Sequence, residues 1–404
     1  MNINRNRFLA LALVLAGGWS RSFAAEDART AKHPDILKFT FADAKHGWIV
    51  ARVPGSKLEV MRTADGGKSW TDATPGGKWP EVVRQAMKES SQDSEEADDE
   101  FLADTFAVFA LDEKRVWIAL GSGMGKESSV LVEKSDDGGV HWSEALSPIA
   151  SDVFVAGIQF LDAAHGFILG SSDPAAGSMR KRIYSTADGG ATWREMASPG
   201  GFGGYYTTGF AFSSVLDGWY TATYHGEPEV PVICTHDGSK TWKVQQLALP
   251  PGFKLGYGDT YAPQFFGKAG KTGVLAVKYI CHEPKNDEMV AFYGTHDCGE
   301  QWTLAGAQSM EEISGEGVEY SFANERMGWF AVNKRLFSTH DGGRTWTEIK
   351  TTGIPAGSSS FLDQIQFVDE KNGWVRIAHN DQINNFEGQL LKTTDGGVTW
   401  SNVF

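Results

Sequence analysis

Seven copies of one short motif, apolar strands alternating ahead of each copy, and a glycine–aromatic pair between those strands together predict an all-β chain. The expected architecture is a seven-bladed β-propeller of four-stranded antiparallel blades. The motif reads Ser/Thr-x-Asp-x-Gly-x-x-Trp. Its aspartates are Asp65, Asp137, Asp188, Asp237, Asp297, Asp341 and Asp395, and its tryptophans are Trp70, Trp142, Trp193, Trp242, Trp302, Trp346 and Trp400.

The last repeat shows each element most plainly. Gln364 to Val368 alternates apolar and polar residues, as a strand with one buried face does. Asp369 to Gly373 is a turn, Trp374 to Ala378 a second strand, and Gly388 to Lys392 a third. The motif then turns the chain into a fourth strand, Thr399 to Val403. Counting in this way places blades at 35–75, 101–147, 152–198, 206–247, 260–305, 316–351 and 361–404, all within one propeller over 25–404. No spare strand is left to complete a terminal blade, so ring closure is expected from packing of blade one on blade seven.

The motif has a physical rationale. A turn between third and fourth strands exposes backbone N–H groups that no ladder satisfies. A short carboxylate accepts several of them, and the Ser or Thr hydroxyl closes the loop. The glycine two residues after each Asp is expected at positive φ, where a Cβ is disfavoured by roughly 1 kcal/mol. Blade four carries Ser239 there, which predicts a strained turn. The second marker places an aromatic at the start of the second strand: Trp48, Phe167, Trp219, Trp329 and Trp374, each after a glycine. Blade two keeps Trp117 but has Val116 for the glycine; blade five keeps Gly273 but has Val274 for the aromatic. These rings are expected to pack between neighbouring blades, so the abundance of tryptophan describes a scaffold rather than sugar stacking.

The N-terminus reads as a secretory signal over residues 1–24: Arg5 and Arg7, the apolar run Phe8 to Leu15, then Ser22-Phe23-Ala24. No later stretch is apolar enough to form a transmembrane helix, so a periplasmic or extracellular protein is expected. The formal charge of −14 argues against nucleic acid and anionic membrane surfaces as partners. Cys281 ends a strand and Cys298 lies in a motif turn at the other end of the sheet, so no disulfide is expected between them. Residues 76–100 interrupt the spacing: Pro80 to Lys88 suits a short helix, and the acidic run 90–100 is a solvated loop or a docking tail for a basic partner.

The motif turns and Gly-Trp turns should share one face of the disc, leaving the more varied loops on the other. On those loops Phe202, Tyr205, Tyr206, Tyr224, His225, Phe253, Tyr257, Tyr261 and His282 gather from blades three to five, beside the basic cluster Arg180, Lys181 and Arg182. Such residues either form a recognition surface or seal the loops against the disc. Paired carboxylates for glycoside chemistry are available in Asp173, Glu227, Glu229, Asp259, Glu283 and Asp287, although spacing does not place any two face to face. His236, His296 and His340 share one motif position in different blades and should lie far apart, so no metal is expected, and no cofactor motif occurs. The Gly121 to Lys126 run precedes a strand rather than a helix and is not read as a phosphate loop.

The repeated motif is the Asp box, or bacterial neuraminidase repeat, and with the Gly-Trp marker the chain resembles the photosystem II stability and assembly factor family. That resemblance implies an exported seven-bladed propeller without enzymatic activity, a monomer that binds a protein client or an assembling membrane complex. The family is described as holding its client by an arginine-rich patch, whereas this chain is acidic with few arginines. A relative serving another periplasmic or envelope complex is therefore an equal expectation. Sialidases share the box, but the Arg-Ile-Pro segment they carry is missing here: Arg182-Ile183-Tyr184 has no proline. A glycan-active hydrolase or a carbohydrate-binding propeller is the alternative reading.

Overall fold

The computed structural model describes residues 35–53, 57–90, 106–121, 130–145, 149, 153–172, 179–197, 205–223, 229–254, 256–267, 270–281, 287–310, 317–332, 334–355, 360–380 and 386–404. They form seven separate antiparallel sheets in chain order, six of four strands and one of five, which make a seven-bladed β-propeller. Blade one runs Asp35–Phe41, Gly47–Val53, Lys57–Thr63 and Thr71–Asp72. Blade seven runs Ser360–Phe367, Gly373–Asn380, Phe386–Thr393 and Ser401–Asn402. The motif's Trp400 therefore precedes its short fourth strand rather than lying within it.

The glycine of the Gly-Trp marker has a steric cause. In blade one Gly47 pairs with Phe41, and a Cβ on Gly47 would fall 2.3 Å from the Phe41 ring. The same clash recurs at Gly166 with Phe160, Gly218 with Phe212, Gly328 with Phe322 and Gly373 with Phe367. Except for Phe322, that phenylalanine is held in place because the preceding blade's marker aromatic stacks on it. Ring centroids are 3.6 Å apart for Trp374 on Phe41 and Trp117 on Phe160, and 3.7 Å for Phe167 on Phe212 and Trp329 on Phe367. Each such pair contributes about 0.5–1.5 kcal/mol beyond the area it buries.

Among the described residues, blades one and seven close the ring without strand exchange. Besides the Trp374–Phe41 stack, the carboxamide of Gln366 pairs with the Phe41 backbone as a strand would, accepting its N–H and donating to its carbonyl, both at 2.8 Å. Gln159 makes the same two bonds to Phe212. Trp70 Nε1 donates to Val403 O at 2.8 Å across the same seam. Lys392 Nζ donates to Gly66 O at 2.9 Å and lies 4.9 Å from the centre of the Trp374 ring. It takes the carbonyl position that in neighbouring seams receives an indole N–H, as Gly138 O does from Trp48 and Gly189 O from Trp117.

The repeated Asp turn is built as its residue types require. Thr63 Oγ1 donates to Asp65 Oδ1 at 2.8 Å and accepts the Gly67 N–H at 2.9 Å. Asp65 then accepts the Ser69 N–H at 2.9 Å and the Ser69 hydroxyl at 2.6 Å. The Gly66 N–H donates to Lys45 O, tying the turn to the first hairpin of its own blade, and equivalent bonds recur in every blade. Ser239 sits at φ 69° as the sequence predicts, and Cys298, one position earlier in blade five's turn, sits at φ 62°.

Two regions add to the sequence reading. The insertion forms a helix, Trp79–Ser90, longer than Pro80 to Lys88. Trp79, 2% exposed, joins Val82 and Val83 in a core with Phe106 and Leu120, so this helix seals the wedge between blades one and two. Blade five begins earlier than expected, its inner strand split into Tyr257–Thr260 and Gln264–Phe266, both paired to Thr272–Cys281. In that blade Cys281 pairs with Asp287 at one end of the hairpin while the Cys298 turn follows Thr295 at the other. The separation is roughly 25 Å, far beyond disulfide reach.

Candidate functional site

The face opposite the Asp turns is where the sequence places its candidate residues, and the structure sorts them sharply. Phe202, Tyr224, His225 and His282, with Asp173, Glu227 and Glu283, lie outside the described residues. Tyr206 and Tyr257 open the inner strands of blades four and five, Tyr206–Phe212 and Tyr257–Thr260, and both are half-buried. Tyr205 precedes the first of these strands. Its ring packs on the core between blades three and four, while its hydroxyl donates to Glu229 Oε2 at 2.5 Å.

Tyr261 is corrected from rim to core. It is 4% exposed, and its hydroxyl oxygen accepts the Val318 N–H at 3.2 Å, linking blade five to blade six. It lies between the two halves of the split inner strand, in the core shared by blades five and six. Phe253 likewise packs on the blade-five core, 5.5 Å from the Tyr279 ring.

The basic cluster is divided by strand alternation. Arg180 is exposed. Arg182 Nη1 donates to both carboxylate oxygens of Glu195, at 2.8 and 2.9 Å. Lys181 is 6% exposed, with Nζ 5.5 Å from the Tyr220 ring centre, and burial pulls its ammonium down to about 8. Successive side chains of Lys181–Thr186 point to opposite faces, so three adjacent basic residues do not make one patch.

Sequence reasoning missed a polar pair within blade five. Lys278 is 3% exposed within an apolar strand, and its Nζ lies 3.2 Å from Glu288 Oε2. Asp259 pairs in register with Lys278, and its carboxylate accepts the Thr223 hydroxyl. A lysine inside the run Val274 to Tyr279 was the available signal. On the opposite face of the same strand, toward blade four, the Tyr279 and Tyr293 hydroxyls meet at 2.6 Å, and burial pushes Tyr293 up to about 12.

The motif histidines also separate. His236 Nδ1 lies 2.9 Å from Asp217 in the hairpin of its own blade. Among the described residues Asp43, His46 and Glu113 bring three possible ligand atoms within 4.8 Å of one another on the Asp-turn face. Asp43 there accepts the Lys45 and His46 amides, the hairpin-capping role that Asp112, Asp162 and Asp369 fill in other blades.

The class this geometry defines is a β-propeller whose Asp-turn face is internally bonded and whose opposite face carries the varied residues. Neither a protein-family description nor a curated protein matches the chain. Among solved structures it is similar to YCF48 bound to D1 peptide, at 16% identity over 93% of this chain and 99% of that one, with a TM-score of 0.52. It is also similar to a polysaccharide lyase of family PL25, an ulvan lyase bound to a GlcA–Rha3S saccharide, at 10% identity over 89% and 92%, with a TM-score of 0.51. At such identities the likeness establishes the fold alone.

Proposed function

We propose that the chain is an exported, non-catalytic propeller that holds a segment of a protein client, or of an assembling membrane complex, on the face opposite its Asp turns. The observation that carries this reading is the placement of Tyr205, Tyr206 and Tyr257, partly exposed at the starts of neighbouring inner strands. Half-buried tyrosines offer a rigid apolar face and a hydrogen-bonding tip, which suits recognition of a peptide. The carboxylates described on this face support binding over hydrolysis, since Glu229, Asp259 and Glu288 are engaged by Tyr205, Thr223 and Lys278. A peptide-bound protein of similar fold lends further support. Export rests on Arg5, Arg7 and the apolar run after them.

The test is capture from an envelope fraction by the native protein and by a Tyr206→Ala/Tyr257→Ala double variant. One membrane complex should be recovered by the native protein and lost at least tenfold by the variant, with melting unchanged. Turnover of a glycan in a substrate panel, abolished by Glu229→Gln or Asp259→Asn, would overturn the reading.

A further inference from the structure

The outer edge of blade five differs from every other. Elsewhere the fourth strand is two or three residues long: Thr71–Asp72, Ser143–Glu144, Arg194–Glu195, Lys243–Val244, Thr347–Ile349 and Ser401–Asn402. All but the last carry a charged residue. Shortness and charge are the usual ways in which a sheet edge is kept from pairing with another chain. The fourth strand of blade five is Thr303–Met310, eight residues without a charged side chain or a proline.

Among the described residues no strand pairs with its outer side. One bulge, at Ala305 between the Leu304 and Gly306 pairings, leaves Gly306 to Met310 in regular register. The strand is also held firmly. A Cβ on Gly306 would meet the Arg344 carbonyl oxygen at 2.4 Å, so its face lies directly on blade six, and Met310 is 3% exposed. Ala307 and Ser309 are exposed.

We propose that this edge pairs with the same edge of a second copy of the chain, antiparallel about a two-fold axis. In such a pairing each residue faces another from the same segment, and like charges directly opposite one another destabilise a sheet. A segment with no charges is therefore suited to be its own partner. The edges bearing Asp72, Glu144, Lys243 or Glu348 would bring like charges together. A self-complementary patch closes as a dimer rather than a filament. The interface is small, so association is weak. The net charge of −14 opposes it at long range, and added salt strengthens it by screening that repulsion. Such a dimer differs from the monomer expected from the sequence.

Sedimentation velocity of the full protein tests the pairing, over about 10 μM to 1 mM and at low and high salt. The weight-average mass should rise from one chain toward two, more steeply in high salt. Ala307→Lys/Ser309→Lys should weaken association by at least about tenfold while leaving the melting temperature in place. Hydrogen exchange provides a check without substitution: amides of 303–310 should slow with rising concentration of the native protein. A single-chain mass throughout, association that the lysines leave untouched, or exchange at 303–310 independent of concentration would each overturn the proposal.

Discussion

Blades two and five both depart from the repeat, and they are repaired from different places. Blade two has lost the marker glycine, with Val116 in its position, and the residue paired with it is Ala110 where other blades have phenylalanine. The large and small partners have exchanged within one cross-strand pair. Blade five has lost the marker aromatic, with Val274 in its position, and the repair comes from the third strand. A Cβ on Gly343 of the next Asp turn would lie 3.0 Å from the Phe292 side chain, where Gly299 meets Trp219 and Gly190 meets Trp117. Conserving volume is thus what the seams demand, and which strand supplies it is secondary.

The largest effect sharpens the first half of that comparison. Recreating blade two's exchange in blade three, Gly166→Val alone should destabilise by about 3 kcal/mol and Phe160→Ala alone by about 3–5 kcal/mol. The double variant should lose less than the sum by about 2 kcal/mol, as read from urea unfolding. Strict additivity would break the claim that Ala110 and Val116 compensate each other.

A second, smaller effect concerns charge within blade two. Glu133 is 4% exposed and pairs across the ladder with Glu144, whose carboxylate holds Lys78 at 2.6 Å. Burial first, and then Glu144, push the Glu133 carboxyl up to about 7. A raised folded value means that the folded state binds the proton more readily than the unfolded one. Stability is therefore lost as pH rises from about 4.5 to about 7. Glu133→Gln should accordingly stabilise by about 2 kcal/mol at pH 8 and by nothing below pH 4, measured by thermal unfolding across pH. An equal gain at both ends would assign the effect to packing.

The smallest effect lies in blade five. Cys298 holds a left-handed conformation at φ 62°, where the other turns have glycine. Cys298→Gly should stabilise by about 0.5–1 kcal/mol. A loss of stability would mean that the thiol contributes more to this turn than its backbone strain removes.

Much of the disc was legible in the chain. The Asp turns, the positive φ at Ser239, the two hairpins of each blade and the closure between blades one and seven follow from local patterns. Each depends on residues a few positions apart, or on a repeat that forces equivalent wedges. The site was legible only in part. Tyr261 reads like Tyr257 in sequence, yet four positions along a split strand carry it into the core. Arg180, Lys181 and Arg182 read as one patch, and alternation divides them among solvent, an aromatic face and an ion pair. Lys278 was hidden in an apolar run because its partner Glu288 lies on the next strand.

By itself the sequence determined the number of wedges and the corners that pin them, because hydrogen bonds within a turn and steric clashes across a hairpin are local and recur with the repeat. Only the tertiary structure decided which aromatics face water, which charges find partners, that Trp79 closes the wedge after blade one, and that the fourth strand of blade five runs on for eight residues. Those outcomes depend on contacts between blades and on where each strand ends, and no repeat period encodes them.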